Sequence, residues 1–100
     1  MGAAPKFPGG GDSLSLFIKE NINYPQSAIS DSIAGVVLIA FSIDKKGLIN
    51  GTRIVKGIRK DVDKEVLRVV KLLPAWQPAE YNGRTFLAYL TIPVRFELSK

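Results

Sequence analysis

The sequence holds no cysteine and no histidine. That removes disulfides, thiolate nucleophiles, imidazole bases and the usual zinc ligands, and leaves only carboxylates, hydroxyls and lysine to do chemistry. The missing cysteine names no compartment, because a reducing cytosol and an oxidising periplasm both tolerate a cysteine-free domain. Long apolar runs are missing too. No stretch approaches the ~20 residues of a membrane span, and no charged-then-apolar start marks a signal peptide. The chain as given is therefore read as soluble. Its opening, "MGAAP", reads as an expression start rather than a targeting sequence, which makes the chain a fragment of something longer. Negative charge is scarce: 14 Lys and Arg stand against 9 Asp and Glu. The net charge of +5 favours anionic neighbours without choosing among acidic proteins, lipid headgroups and nucleic acid. Hydrophobic residues are plentiful, 46% of 100. That suits one domain with one core, burying roughly two thirds of the unfolded chain's surface.

Residues 1–11, with "PKFPGGG", form a turn-rich lead-in, and the domain proper is expected over residues 12–100. Asp12 or Ser13 can cap a helix through "SLSLFIKENI", on which Leu14, Phe17, Ile18 and Ile22 share a face. "NYP" breaks it, since a residue before proline is pushed out of the helical region. Pro25 can open a short helix, "PQSAISDS", that Gly35 ends. "VVLIAFSI", Val36 to Ile43, is apolar on both faces and reads as a central strand, followed by a "DKKG" hairpin loop. Its partner, "LINGTRIVK", is interrupted by Gly51 and guarded by Arg53 and Lys56, as an edge strand would be. "DVDKEVLRVVKLL" predicts a helix with Val62, Val66, Val69, Val70 and Leu73 inward, Lys64, Arg68 and Lys71 on a solvated outer face, and Pro74 as its stop. The final run from Thr85 predicts one long strand, with Phe86, Ala88, Leu90, Ile92, Val94, Phe96 and Leu98 on one side and Leu87, Tyr89, Thr91, Pro93, Arg95 and Glu97 on the other.

That last strand carries a proline near its middle, and proline in a sheet is confined to edges, strand starts and bulges. The first two strands form a hairpin, and a helix crosses from the second to the third, which makes those two parallel. With the apolar first strand in the middle, the order is 2-1-3 and the third strand is an edge. The fold class expected is α+β: a three-stranded antiparallel sheet with helices packed on one face. If Pro93 faces outward, the backbone groups of Thr91, Arg95 and Glu97 face outward too, free to bond to another strand. Strand addition at such an edge is a recurring way to bind peptides, and strand exchange between two copies is a route to a homodimer.

No catalytic constellation is legible, and no metal or cofactor is expected. Asp61, Asp63 and Glu65 suit the N-terminus of a helix better than a metal or an acid–base pair, since no further group of ligand character lies near them in sequence. Ser13 and Ser15 lack a base. "PGGGD" lacks the strand before it and the Lys-Ser/Thr after it that phosphate loops need. Trp76, between Pro74 and Pro78, reads as a packing anchor. Tyr24 has two readings, lining a peptide groove or packing under the first helix.

"KFPGG", "NINYP", "IAGVVLIAFSIDKKGLI", "DKEVLRVVKLLPAWQPAEYNGR" and "TIPVRFEL" occur in this order over Pro5 to Leu98. Together they resemble a TonB C-terminal domain, and "PGG" with "PVRF" resembles the Bacteroidetes-type variant. The resemblance implies the periplasmic, non-enzymatic end of an energy transducer. Full-length members are anchored in the inner membrane by an N-terminal helix and driven by proton-powered motor proteins of the ExbB and ExbD type. They grip outer-membrane transporters through a short extended segment, the TonB box, that adds as a strand. Carried over by motif, Asn21, Ile22, Asn23 and Tyr24 match the stretch that touches the box, and the strand bearing Leu87, Tyr89, Thr91, Pro93, Arg95 and Glu97 matches the one that pairs with it. Similar domains also end some membrane-bound peptidases and sensors. A small basic sheet that binds nucleic acid is the alternative of another class, disfavoured because Phe41, Phe86 and Phe96 fall on the expected core side rather than on an open face.

Overall fold

The computed structural model describes residues 2–98. In chain order the elements are β1 (Gly2–Ala3), α1 (Gly11–Asn21), α2 (Gln26–Ser30), β2 (Gly35–Ile43), β3 (Ile49–Lys56), α3 (Lys60–Val70), β4 (Ala79–Tyr81), β5 (Arg84–Phe86) and β6 (Ala88–Phe96). The main sheet has the order β3-β2-β6, and a small second sheet has the order β1-β4-β5. All these pairings are antiparallel, so the architecture is α+β with β2 in the middle of the main sheet, the order read from the sequence.

β2 is central because it is apolar almost throughout. Its alternate residues Val37, Ile39, Phe41 and Ile43 are at most 2% exposed and form the floor of the core. Over them α3 lays Val62, Val66 and Val70, all fully buried. Valine is a modest helix former, so this helix is held by its apolar stripe rather than by propensity. Each such side chain contributes roughly 1.5–3 kcal/mol on burial. Val94 and Phe96 close the core from β6.

The lead-in is tied down before the first helix begins. Lys6 and Gln77 exchange backbone hydrogen bonds of 2.9 and 2.8 Å, and Phe7 is buried. The Phe7 ring meets Trp76 edge-on at 5.4 Å and Phe17 at 6.2 Å, and Trp76 in turn meets Phe41 at 5.9 Å. One aromatic cluster thus joins the lead-in, α1, the turn after α3 and β2.

The final run is not one strand. β5 pairs with β4 through a two-residue turn, Asn82 and Gly83, both with positive φ, which is the hairpin geometry that Asn-Gly favours. Leu87 separates β5 from β6, so Phe86 leaves the main sheet and is exposed rather than in the core. The turn chemistry of Asn-Gly overrode the alternation that suggested a single long strand. α1 begins at Gly11 with Gly10 as its cap, and neither Asp12 nor Ser13 caps it by a side-chain bond. Pro25 stands one place earlier than expected, as the cap of α2. In β3 the pairing register shifts around Gly51, whose φ is +61°, and again near Val55, so this edge carries bulges as well as charge.

Candidate functional site

β6 pairs with β2 without a break from Gly35↔Phe96 to Ile43↔Ala88, and Pro93 stands opposite Leu38. In an antiparallel ladder, opposite residues either exchange two hydrogen bonds or none. Pro93 has no N–H to exchange, so Leu38↔Pro93 is a pair without bonds and the backbone at Pro93 faces away from β2. By the two-residue period, Thr91 and Arg95 also turn their amides and carbonyls outward. No strand of the main sheet lies beyond β6, so this edge is unpaired among the described residues.

Beside the lower half of that edge lies a groove of about 600 Å³. Ile18, Ile22 and Tyr24 from the α1 side line it, with Pro93, Val94, Arg95 and Phe96 from β6 and Glu97 just after it. Tyr24 packs against the last strand and also borders the groove. Its ring meets Phe96 edge-on at 5.3 Å, and its hydroxyl donates to the carbonyl of Ile33. The rim carries charge: Lys19 on the α1 side, and Arg95 with Glu97 on the strand, whose Nε to Oε1 distance is 3.5 Å. Both partners of that pair are exposed, so it contributes little to stability.

The α1 wall is fastened from behind by α3. Asn21 donates from its side chain to the Phe17 carbonyl at 2.8 Å, while its own carbonyl accepts from Arg68 Nη2 at 2.8 Å. Arg68 grips Glu65 with two prongs, at 2.7 and 2.8 Å. Glu65 Oε2 accepts the Asn23 amide at 2.6 Å. The guanidinium and that amide hold the Glu65 carboxyl below its ordinary value. Arg68 is therefore not a merely solvated side chain of the outer face. A second polar clasp fixes α2: Arg59 bridges Asp31 and Asp61 at 2.7 and 2.8 Å, and Ser27 donates to Asp61 at 2.6 Å. With the guanidinium beside it, the Asp61 carboxyl lies well below the usual carboxylate range.

The structure thus brings Ile22, Tyr24, Pro93, Arg95 and Glu97 together at the groove. Asn21 and Asn23 sit behind it, bonded to α3. Tyr89 and Thr91 lie further along the strand, at a shallow hollow of about 240 Å³ shared with Ala40, Ser42 and Arg53. Leu87 lies between the two sheets and is exposed. Sequence reasoning missed Ile18 and Lys19 as groove residues. Their signal was present, since Ile18 and Ile22 are four apart on one helical face, but that stripe reads as core. Arg59 was missed entirely: its partners Asp31 and Asp61 meet only in the folded chain.

The chain belongs to the family described as Gram-negative bacterial TonB protein C-terminal, whose model matches residues 20–98. Such domains are periplasmic, and they serve energy transducers as interaction modules rather than as enzymes. Among solved structures, the chain is similar to the Helicobacter pylori TonB C-terminal domain determined by NMR in solution, with a TM-score of 0.67 and 22% identity. That match covers 89% of this chain and 94% of the other, and it shows the shared fold. No curated protein matches the chain in sequence.

Proposed function

We propose that this domain captures the TonB box of outer-membrane transporters as an added strand on the free edge of β6, and that it passes on energy drawn from the proton-motive force. An upstream inner-membrane anchor and motor proteins of the ExbB and ExbD type would supply that energy. The observation that carries the reading is the outward-facing edge around Pro93 lying directly beside the groove, where main-chain bonds give affinity and the apolar hollow takes alternate side chains. Pro93 withholds one donor from the edge, which makes for modest affinity and ready release, as a pulling device requires. Ile22 and Tyr24 form the far wall that the added strand would touch.

The test is an NMR titration of the labelled domain with a synthetic peptide carrying a transporter's box region. Amide shifts are expected at Asn21 to Tyr24 and along Leu87 to Glu97. Arg95→Pro, which deletes a second outward donor while sparing the inward ladder, should weaken binding. Shifts confined to Leu48 to Lys56 would place the peptide on the opposite edge, and an Arg95→Pro chain that binds as well as the parent would end the strand-addition reading. The same open edge supports a strand-exchanged homodimer, detectable as a concentration-dependent rise in mass by light scattering.

A further inference from the structure

Resting on that reading, we infer that Arg68 and Glu65 of α3 are positioning residues that set the width of the peptide groove by holding the "NIN" stretch, although neither lines the groove. Otherwise the wall is held by partly buried packing of Phe17, Ile18, Ile22 and Tyr24 against the core and by the Tyr24 hydroxyl on the Ile33 carbonyl. α1 has no fully buried residue, its cap at Gly10 makes no side-chain bond, and the helix ends at Asn21. From there Ile22 is extended, with φ −79° and ψ 134°, and the chain reaches Tyr24 and Pro25 without further helix. Four hydrogen bonds reach across from α3 to this passage or brace what does. The Asn21 carbonyl takes Arg68 Nη2, the Asn23 amide gives to Glu65 Oε2, and the two-pronged Arg68–Glu65 pair holds the two side chains together. Ile22 lies between the two points of attachment, and its side chain lines the groove.

The energetics favour a positioning role over a purely stabilising one. Glu65 is largely covered, at 12% side-chain exposure, while Arg68 is 46% exposed. A pair three residues apart on one helix, with its arginine half-exposed to water, adds little stability by itself. Its bonds to Asn21 and Asn23 join segments 47 and 42 residues apart, so their effect is to select one placement of the wall. A binding site populated only in part loses apparent affinity by that same fraction.

The experiment compares the parent with Arg68→Met, Arg68→Lys and Glu65→Gln by NMR of the free chain and by titration with the same transporter peptide. In Arg68→Met the amide signals of Asn21, Ile22, Asn23 and Tyr24 should move and broaden. Those of Leu90, Ile92 and Val94 in the inward ladder should stay, while the thermal midpoint falls by the share of stability that the Arg68–Glu65 pair supplies. Peptide affinity should fall by roughly three- to tenfold, corresponding to a competent groove populated about a third to a tenth of the time. Arg68→Lys, which keeps a cation within reach of Glu65 and the Asn21 carbonyl, should recover most of that loss. Glu65→Gln should move the Asn23 amide signal by weakening its charge-assisted bond. If Arg68→Met leaves residues 21–24 and the affinity as in the parent, the inference is overturned. If the parent takes up no peptide, strand addition falls by itself, and the spectra of the free chain still decide whether α3 places this wall.

Discussion

Trp76 and Gly47 show how much one contact can fix. The Trp76 amide donates to the Gly47 carbonyl at 2.8 Å, and Gly47 has φ +86°, a conformation that suits glycine. A Cβ at Gly47 would lie 1.9 Å from the Trp76 carbonyl oxygen, so the loop after β2 and the turn after α3 touch backbone to backbone. The indole is buried against Phe7 and Phe41, and its Nε1 has no hydrogen-bond partner among the described residues. Ring packing is therefore what holds it. Trp76→Ala should cost about 3–5 kcal/mol of stability, and Gly47→Ala should cost well over ~1 kcal/mol because strain and clash act together. Denaturant unfolding measures both. Peptide binding by the fraction that stays folded should be unchanged, and a normal midpoint with lost binding would move Trp76 from the core to the site.

At the scale of elements, the ion pairs around α3 shape how the fold answers to acid, together with Asp44, whose carboxyl the Leu48 amide holds below its ordinary value. Arg59 and Ser27 hold Asp61 below its ordinary value of 3.8, and Arg68 and the Asn23 amide hold Glu65 below 4.5. Both groups are depressed in the folded chain, so in acid the unfolded chain binds more protons than the folded one. Their contribution is complete above these ordinary values and drains away as pH falls through the lower, folded ones. The thermal midpoint should be flat across neutral pH and drop below about pH 4. Asp61→Asn should lower the neutral plateau and flatten the acid limb, as followed by circular dichroism melts. A parent whose midpoint holds down to about pH 2 would show that these carboxyls do not couple to folding.

Elements also mark where the sequence was legible. β2 and the valine face of α3 were readable because apolar period is a local signal, and Pro93 placed β6 at an edge because a missing N–H cannot be hidden inside a sheet. The β4–β5 hairpin was legible too, in Asn82-Gly83, but the unbroken alternation from Thr85 masked it. Phe86 shows the consequence: its apolar character matched the core side of a long strand, yet the turn fixed its pairing with Ala79 and left it exposed.

For the whole molecule, charge separates the two classes of partner. The net charge of +5 would let nucleic acid bind, and neutralising several phosphates would make that affinity fall steeply with salt. Strand addition draws on backbone bonds and apolar contact, so peptide affinity should change only a few-fold between low and physiological salt. Titrations at two ionic strengths distinguish them, and micromolar binding of single-stranded DNA or RNA with a steep slope would favour the nucleic-acid class. Shape bears on the same question. The molecule is elongated, 51 × 22 × 19 Å. Phe41, Phe96 and Trp76 lie in the core, Tyr81 and Phe86 are exposed on the small sheet rather than buried, and Tyr89 is 78% exposed on the main sheet. A single exposed ring on that sheet makes a poor stacking platform for successive bases.

By itself the sequence determined the inward faces of β2 and α3, which strand is central, which is an edge, and that no histidine or cysteine chemistry takes place. Each of these follows from composition, from periods of two or about 3.6 residues, or from the backbone limits of proline and glycine, all properties of short stretches. Only the tertiary structure decided that Ile22 and Tyr24 face Pro93 and Arg95 across one groove, that Arg59 joins Asp31 to Asp61, and that Glu65 and Arg68 hold the "NIN" stretch. Those arrangements depend on hydrogen bonds between segments as far as 47 residues apart. A polar side chain at a solvated helical position reads the same in sequence whether it meets water or a distant backbone group, and only the packing of α1 against α3 makes the choice.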